Sequence, residues 1–336
     1  MELTLGYRVD GQAITTAGAE NPHIFIDGIS GSGKSFALKR LAEEAVRKGA
    51  LVIAFDYTGD FAAYSPPDGV PCQRMDVIGG ELRINPLSPA SGAPAPVRAQ
   101  RLVHLLLAGY RLGNRACMDL LDAACQYLES CSGIPNIACL VEYIEENCPL
   151  TRGLESALEP LKGLSHLIIS GPEEISIDLE SPGLLILDFG QVEFGWMRQL
   201  MAELLLRVIW DSRTSAAGDA RHSLVLLLDE CQNLNWRQDG MPVRILREGR
   251  KFGIGGWFAS QWVENERAKA ALRQASVQMH FRQDPDAAAK LARTMSINVP
   301  KKREQYSRLI RSLREGAFIT GNFCGGICVG RMPVSF

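Results

Sequence analysis

The sequence predicts an α/β fold with a mostly parallel sheet and an all-helical insertion, and three observations support this prediction. Short apolar runs, each typical of one buried strand, recur at residues 23–26, 51–55, 183–187 and 224–228. Helical patterns follow these runs, as expected when crossover helices join parallel strands. Residues 97–165 instead carry leucines at helical spacing without an intervening strand pattern.

The composition is that of a globular protein. Of the 336 residues, 46% are hydrophobic and 22% are charged, which is enough for the sizeable core of one large domain or two smaller ones. The net charge of -2 argues against a surface that is basic overall. Any contact with DNA must therefore come from local patches of basic residues. Nine cysteines form neither a disulfide framework nor a metal-ligand pattern, which predicts a reducing cytosol.

No signal peptide and no membrane span is recognisable in the sequence. The beginning of the chain is polar and mixed, and no apolar run reaches the about 20 residues of a transmembrane helix. We therefore expect a cytoplasmic protein that does not insert directly into a membrane.

Changes of pattern along the chain predict three segments. Residues 1–96 form the first part of the core, although residues 57–96 are rich in loop signals. Residues 97–165 form the helical insertion, whose leucines are explained by packing. Residues 166–336 form the second part of the core, with further strands expected at 256–261, 277–281 and 317–320.

The most informative motif is a glycine-rich loop. Residues 28–35 read Gly-Ile-Ser-Gly-Ser-Gly-Lys-Ser and fit G-x-x-x-x-G-K-[ST], with an apolar run before them and an amphipathic helix pattern after them. Strand, loop and helix are the context that a phosphate-binding loop requires. Glycines allow several backbone N–H groups to point at one anion, and the helix N-terminus adds positive potential.

Within this loop, each residue type suits a nucleotide triphosphate with Mg²⁺. Lys34 is expected to contact the β- and γ-phosphates, and the Ser35 hydroxyl to bind the metal ion. The predicted nucleotide-binding set is Gly28, Ser30, Gly31, Ser32, Gly33, Lys34, Ser35 and Phe36.

A pair of carboxylates ends a second apolar run. Leu224–Leu228 leads into Asp229 and Glu230, and the carboxyl edge of a parallel sheet is where a ligand crevice forms. Asp229 is expected to share the metal ion with Ser35, and Glu230 to orient or deprotonate the attacking water. Asp56 and Asp188 also end apolar strands and are rival candidates.

Three further residues are candidates for catalysis. Gln261 ends the next predicted strand, where its amide could contact the γ-phosphate or the lytic water. Arg247 and Arg250 lie in the basic segment before that strand. They either stabilise the end of a helix through its dipole or supply a guanidinium to the nucleotide of a neighbouring subunit. Arg282 is a second candidate for that role in trans.

Taken together, these motifs resemble the HerA/FtsK superfamily of RecA-like motor ATPases, especially HerA helicases and conjugative-transfer ATPases. The likeness rests on four segments: residues 28–35, residues 83–87 (Arg-Ile-Asn-Pro-Leu), residues 226–230, and residues 247–253 (Arg-Glu-Gly-Arg-Lys-Phe-Gly) continuing to 261. The second segment and the helical insertion look like conjugation-type members, whereas the fourth looks like HerA. No pattern for the N-terminal β-barrel common in HerA proteins precedes the core.

The resemblance implies a RecA-like P-loop core and a homo-oligomer, expected to be a hexameric ring, that hydrolyses ATP with Mg²⁺ at its subunit interfaces. It implies movement of double-stranded DNA through the ring, together with a nuclease or another effector protein. By the family pattern, Glu230 is catalytic, Gln261 senses the γ-phosphate, and Arg247 or Arg250 acts across the interface.

Other functions remain open at this point. The same motifs suit an ATP-dependent protein translocase or a nucleotide-switched assembly platform, and a small-molecule kinase is disfavoured by the Asp-Glu pair. A DNA motor needs basic residues that grip phosphates. The candidate groups are Lys301, Lys302 and Arg303, and Arg267, Lys269 and Arg273, although solvated surface charge is the favoured explanation for any single one of them.

Overall fold

An eleven-stranded sheet forms the centre of the computed structural model, which describes residues 1–61, 63–79, 82–88, 92–168, 171, 175–215, 222–261, 263–297, 299–321 and 327–333. The strand order is β2-β1-β11-β10-β9-β3-β8-β7-β4-β6-β5. The strands are β1 (Thr4–Tyr7), β2 (Ala13–Thr15), β3 (Ile24–Asp27), β4 (Leu51–Asp56), β5 (Cys72–Asp76), β6 (Gly183–Asp188), β7 (Leu224–Leu228), β8 (Ile254–Ser260), β9 (Val277–His280), β10 (Ala317–Thr320) and β11 (Cys328–Arg331).

The sheet has a parallel part and an antiparallel part. All neighbours from β9 to β5 pair in parallel, whereas β10, β11, β1 and β2 extend the sheet by antiparallel pairing. The mostly parallel α/β fold predicted from the sequence is therefore confirmed. The expected loop-rich stretch after β4 contains one strand, β5, that the sequence did not predict.

Ten helices are described. They are α1 (Lys34–Arg47), α2 (Ala95–Gly109), α3 (Asn114–Ser130), α4 (Ile137–Asn147), α5 (Arg152–Leu167), α6 (Gly195–Ser215), α7 (Met241–Glu248), α8 (Glu266–Leu272), α9 (Pro285–Met295) and α10 (Arg303–Ser312). The helices α2 to α5 follow one another between β5 and β6 and pack together, with α2 also contacting α6. None of the helices in the described ranges has the length and apolar character needed to cross a membrane.

Both faces of the parallel strands are buried, which explains their nearly continuous apolar sequences. Side chains alternate between the faces along β4: Leu51, Ile53 and Phe55 belong to the core that includes α2 to α6, whereas Val52 and Ala54 belong to the core beneath α1. Because both layers are packed, the edge where the parallel strands end is held in place from both sides.

Candidate functional site

The glycine-rich loop leaves the carboxyl end of β3 and enters α1. Parallel pairing places Asp27 at the end of β3 beside Ser260 at the end of β8, so residues following both strands emerge at the same edge. The loop is held from outside by two backbone hydrogen bonds, from Ile29 N to Arg282 O at 2.9 Å and from Gly316 N to Ser32 O at 3.0 Å. These contacts preorganise the loop before any ligand arrives.

Gly33 closes the loop and cannot be replaced without strain. Its φ of 105° lies in the left-handed region, and a Cβ atom built there would lie 2.9 Å from the backbone nitrogen of Gly316. Gly33 is also the N-cap of α1, and no side chain caps that helix. The first N–H groups of α1 are therefore left to bind an anion, as a phosphate site requires.

Lys34 lies inside the loop. Its Nζ donates hydrogen bonds to the carbonyl oxygens of Gly28 at 2.7 Å and Ile29 at 3.0 Å. Burial lowers the pKa of Lys34, and the surrounding carboxylates, led by Asp229 and Glu230, oppose that shift. The ammonium group thus lies within the glycine-rich loop, bonded to two of its carbonyl oxygens.

The two carboxylates after β7 differ in their surroundings. Asp229 is buried, and its Oδ1 accepts a hydrogen bond from the backbone N–H of Glu230 at 2.8 Å. Burial raises the pKa of Asp229 to about 6; Glu230 and Asp60 add to this, and Lys34 opposes it. A cation near Asp229 would relieve the cost of keeping this buried carboxylate charged.

Glu230 is held in an unusual conformation. Its φ of 48° and ψ of 45° are left-handed, and among the described residues it is the one non-glycine residue with a positive φ. Its Oε1 accepts a hydrogen bond from Nε2 of Gln261 at 2.9 Å, and its Oε2 accepts one from Nε2 of Gln232. The structure thus brings together Glu230 and Gln261, which the sequence singled out separately.

Asp60 is a site residue that sequence reasoning missed. The Ser35 hydroxyl donates a hydrogen bond to Oδ2 of Asp60 at 3.0 Å. Asp60 follows a turn in which the fully buried Asp56 accepts hydrogen bonds from the backbone N–H groups of Thr58 and Gly59. The short Asp-x-Thr-Gly-Asp pattern was a possible signal for this turn.

The two rival carboxylates have other partners. Asp56 shapes the turn described above, and Asp188 pairs with Arg74 and accepts a hydrogen bond from Gly190 N at 2.8 Å. The oxygen atoms that could hold Mg²⁺ are therefore those of Ser35, Asp60 and Asp229, and oxygen ligands are what this ion prefers.

Asp27, at the start of the loop, forms a network that the sequence did not indicate. Its Oδ1 accepts a hydrogen bond from Nε2 of Gln283 at 2.7 Å and is bonded to Nδ1 of His280 at 2.8 Å. Since β9 carries His280, this network ties the glycine-rich loop to the adjacent strand.

The two arginines proposed to act in trans do not reach this site within one chain. Arg247 lies in the last turn of α7 and Arg250 in the turn before β8, and both are exposed. Arg250 lines a groove with Ser223 and Gly253, at the edge where the parallel strands begin. The glycine-rich loop lies at the opposite edge. Among the remaining predicted loop residues, Ser30, Gly31 and Phe36 are exposed.

Residues 14–95 match the family model described as "Helicase HerA, central domain". VirB4 of Thermoanaerobacter pseudethanolicus has a similar structure, with a TM-score of 0.74 and 20% sequence identity over 99% of this chain and 96% of VirB4. The plasmid coupling protein TrwB in complex with ADP and Mg²⁺ gives a TM-score of 0.71 and 16% identity over 99% of this chain and 90% of TrwB. No curated protein matches the chain by sequence.

These matches bear on the predicted fold and on the predicted resemblance. The fold is that of a RecA-like P-loop NTPase, as predicted. The predicted resemblance to HerA/FtsK-type motor ATPases is confirmed by the family match together with the likeness to VirB4 and TrwB.

Proposed function

We propose that this protein is an ATP-driven motor that moves double-stranded DNA as a homo-oligomeric ring in the cytoplasm. The observation that carries the ATPase part is the meeting of Lys34, Ser35, Asp229, Glu230 and Gln261 at one edge of the sheet. TrwB structures contain ADP with Mg²⁺ and a non-hydrolysable ATP analogue, which supports the same ligands here.

Each group of residues in this site has a separate role in phosphoryl transfer. The loop amides and Lys34 would hold the phosphates, and the oxygen atoms of Ser35, Asp60 and Asp229 would hold Mg²⁺. The metal ion, when bound, neutralises charge on the phosphate oxygens. Glu230 accepts a proton from the attacking water, and Gln261 keeps the Glu230 carboxylate oriented.

Two substitutions test the ATPase proposal. Lys34→Ala should abolish nucleotide binding, because the glycine-rich loop loses its positive charge. Glu230→Gln should still bind ATP but turn it over about 100-fold or more slowly, because the amide cannot take the proton. Glu146→Gln, on an exposed face of α4, is the matched control. Near-normal turnover by Glu230→Gln would reject Glu230 as the base.

The DNA part of the proposal rests on the match to the HerA central domain. Steady-state ATP turnover with and without duplex DNA tests it, and stimulation by duplex DNA is expected. If duplex DNA leaves turnover unchanged while a partner protein raises it, the protein translocase is the correct function.

Ring assembly is supported by the exposed Arg250, which lies at the sheet edge opposite the loop. Arg250→Ala should impair turnover without weakening ATP binding. Mixing Arg250→Ala with Lys34→Ala subunits should restore part of the activity, because some interfaces then combine an intact loop with an intact arginine. A monomer in light scattering with ATP present would exclude this arrangement. A nuclease or other effector partner belongs to the same proposal and is testable by co-purification.

A further inference from the structure

A second pocket, of about 340 Å³, lies between the end of α2 and the segment that follows Glu230. Arginines from three separate parts of the chain line it: Arg111 just beyond α2, Arg237 before α7, and Arg267 in the first turn of α8. Neither an aspartate nor a glutamate is among the residues that line this pocket. We refer to it as the arginine pocket.

The three arginines of the pocket are exposed in the described ranges. None of these arginines takes part in an ion pair there, although Nη1 of Arg237 donates to the carbonyl oxygen of Leu107. The chain as a whole has a net charge of -2, so this concentration of positive charge is local. The three arginines place three positive charges around one pocket, where a bound anion would reduce their mutual repulsion.

The wall that carries Arg237 is rigid. Nε1 of Trp236 donates to the carbonyl oxygen of Cys231 at 2.8 Å, and the backbone N–H of Arg237 donates to Oδ1 of Asn235 at 3.2 Å. A Cβ atom on Gly240 would lie 2.1 Å from the carbonyl oxygen of Asn235, so the segment turns tightly back on itself. The pocket is therefore built before any ligand binds.

Gln232 connects this pocket to the catalytic crevice. It lines the arginine pocket, its Nε2 donates to Oε2 of Glu230, and its Oε1 accepts a hydrogen bond from Oγ of Ser260 at 2.6 Å. One side chain thus lines the arginine pocket and is hydrogen-bonded to the carboxylate proposed as the general base.

We propose that the arginine pocket binds phosphate groups and that Gln232 reports their presence to Glu230. Guanidinium forks match phosphate oxygens in shape and charge, which favours phosphate over a single carboxylate. In the structure, Nε2 of Gln232 donates a hydrogen bond to Oε2 of Glu230. A phosphate bound in the pocket would compete for this N–H group. Oε2 of Glu230 would then be free to take a proton from water. This second step rests on the proposed role of Glu230. The phosphate comes either from a DNA backbone or from a small soluble phosphate.

Binding is measured on protein saturated with ADP and Mg²⁺, so that the glycine-rich loop is filled. The probes are a short fluorescent DNA duplex, followed by anisotropy as salt is varied, and inorganic phosphate, followed by calorimetry. For the variant Arg111→Gln/Arg237→Gln/Arg267→Gln, the slope of log K against log salt should become less negative by about 0.9, since the three arginines line one pocket that holds one phosphate and each phosphate contact contributes about 0.9. If inorganic phosphate is the ligand, the calorimetric signal is lost instead.

The matched control is Arg152→Gln/Arg293→Gln/Arg311→Gln, which removes the same charge from exposed positions outside the pocket. It should leave both measurements unchanged. The double variant Arg111→Gln/Arg267→Gln keeps the Arg237 contact with Leu107, and its slope should lie between those of the wild type and the triple variant. If the pocket variants bind both probes as the wild type does, the proposal is wrong.

The connection through Gln232 is tested by turnover. Gln232→Ala keeps the three arginines, so it should still bind the ligand with an unchanged salt dependence, weakened at most by the loss of one neutral hydrogen bond. The ratio of ligand-stimulated to basal kcat should fall to near one. An unchanged ratio in this variant, or a wild type that binds the ligand without stimulation, would refute the connection. Measuring the salt dependence of DNA binding requires no ATP hydrolysis. The proposed phosphate-binding role of the pocket and the proposed ATPase activity can therefore be refuted independently.

Discussion

Replacing Glu203 with glutamine should stabilise this protein in neutral and alkaline solution. Glu203 lies on α6 with 4% of its surface exposed, and its Oε1 accepts a hydrogen bond from the backbone N–H of Met241 at 3.0 Å. Burial raises the pKa of Glu203 from its ordinary value of 4.5 to about 7, and Asp239 adds to this. The Met241 hydrogen bond, Arg207 and Asn235 favour the charged form but do not outweigh burial.

The sign and size of the effect follow from linkage. Because the pKa is higher in the folded protein, folding is favoured while Glu203 is protonated, and this contribution is lost as pH rises from 4.5 through about 7. Each pH unit in that window removes about 1.4 kcal/mol, so the folded state is less stable by about 3 kcal/mol above the window. Glutamine has nearly the same shape, accepts the Met241 hydrogen bond and carries no charge.

Urea unfolding of the wild type and Glu203→Gln across the range from pH 5 to 8 measures this difference. The stability gained by Glu203→Gln should be about 3 kcal/mol at the alkaline end and should shrink steadily as pH falls. Glu146→Gln, at an exposed glutamate, should show no such trend. A glutamine variant that is less stable than the wild type at the alkaline end would show that Glu203 is charged and stabilised by its partners.

Three further substitutions have separate expected outcomes. Gly33→Ala should lower stability by at least about 1–2 kcal/mol and weaken nucleotide binding, because left-handed backbone and the nearby Gly316 both oppose a Cβ atom; unfolding and ADP titration measure this. Asp60→Asn should weaken Mg²⁺-dependent nucleotide affinity about 10-fold without affecting metal-free binding, since its partner Ser35 loses an anionic neighbour. Asn85→Ala should cost about 3 kcal/mol in unfolding experiments but leave ADP affinity unchanged, because Asn85 makes three buried hydrogen bonds away from the loop.

The strands that the apolar runs predicted lie in the interior of the sheet, with a neighbouring strand on each side. The stretch Leu224–Leu228 has no exposed side chain and reads as an uninterrupted apolar run. The missed strand β5 reads Cys-Gln-Arg-Met-Asp and lies at the edge of the sheet, where Met75 alone is buried. An edge strand with one face in solvent and little apolar surface leaves no periodic signal.

Only the part of the candidate site that lies within sequence motifs was predicted. Lys34, Asp229 and Glu230 stand in recognisable sequence contexts. Asp60 and Gln232 are exposed polar residues; the Asp-x-Thr-Gly-Asp pattern indicates the turn before Asp60, but no local pattern indicates that Asp60 contacts Ser35 or that Gln232 contacts Glu230. Their importance arises from the register of β3, β4, β7 and β8, which brings the ends of distant segments to one edge of the sheet.

The position of Arg250 limits which arrangement of subunits could bring this side chain to a nucleotide-binding site. Between Arg250 and the catalytic edge lies β8, whose seven residues span about 20 Å from first to last Cα at about 3.3 Å per residue. An arginine side chain is too short to cover that distance, so Arg250 cannot complete the site of its own chain. If Arg250 contributes to catalysis, two neighbouring subunits must meet in a defined way. The edge at which the parallel strands of one subunit begin must face the carboxyl edge of the sheet in the other subunit. Such a contact joins two different surfaces, and repeated contacts of this kind close into a ring or continue as a filament. We infer that activity restored by mixing inactive subunits, together with a finite particle mass in light scattering, would identify the closed ring.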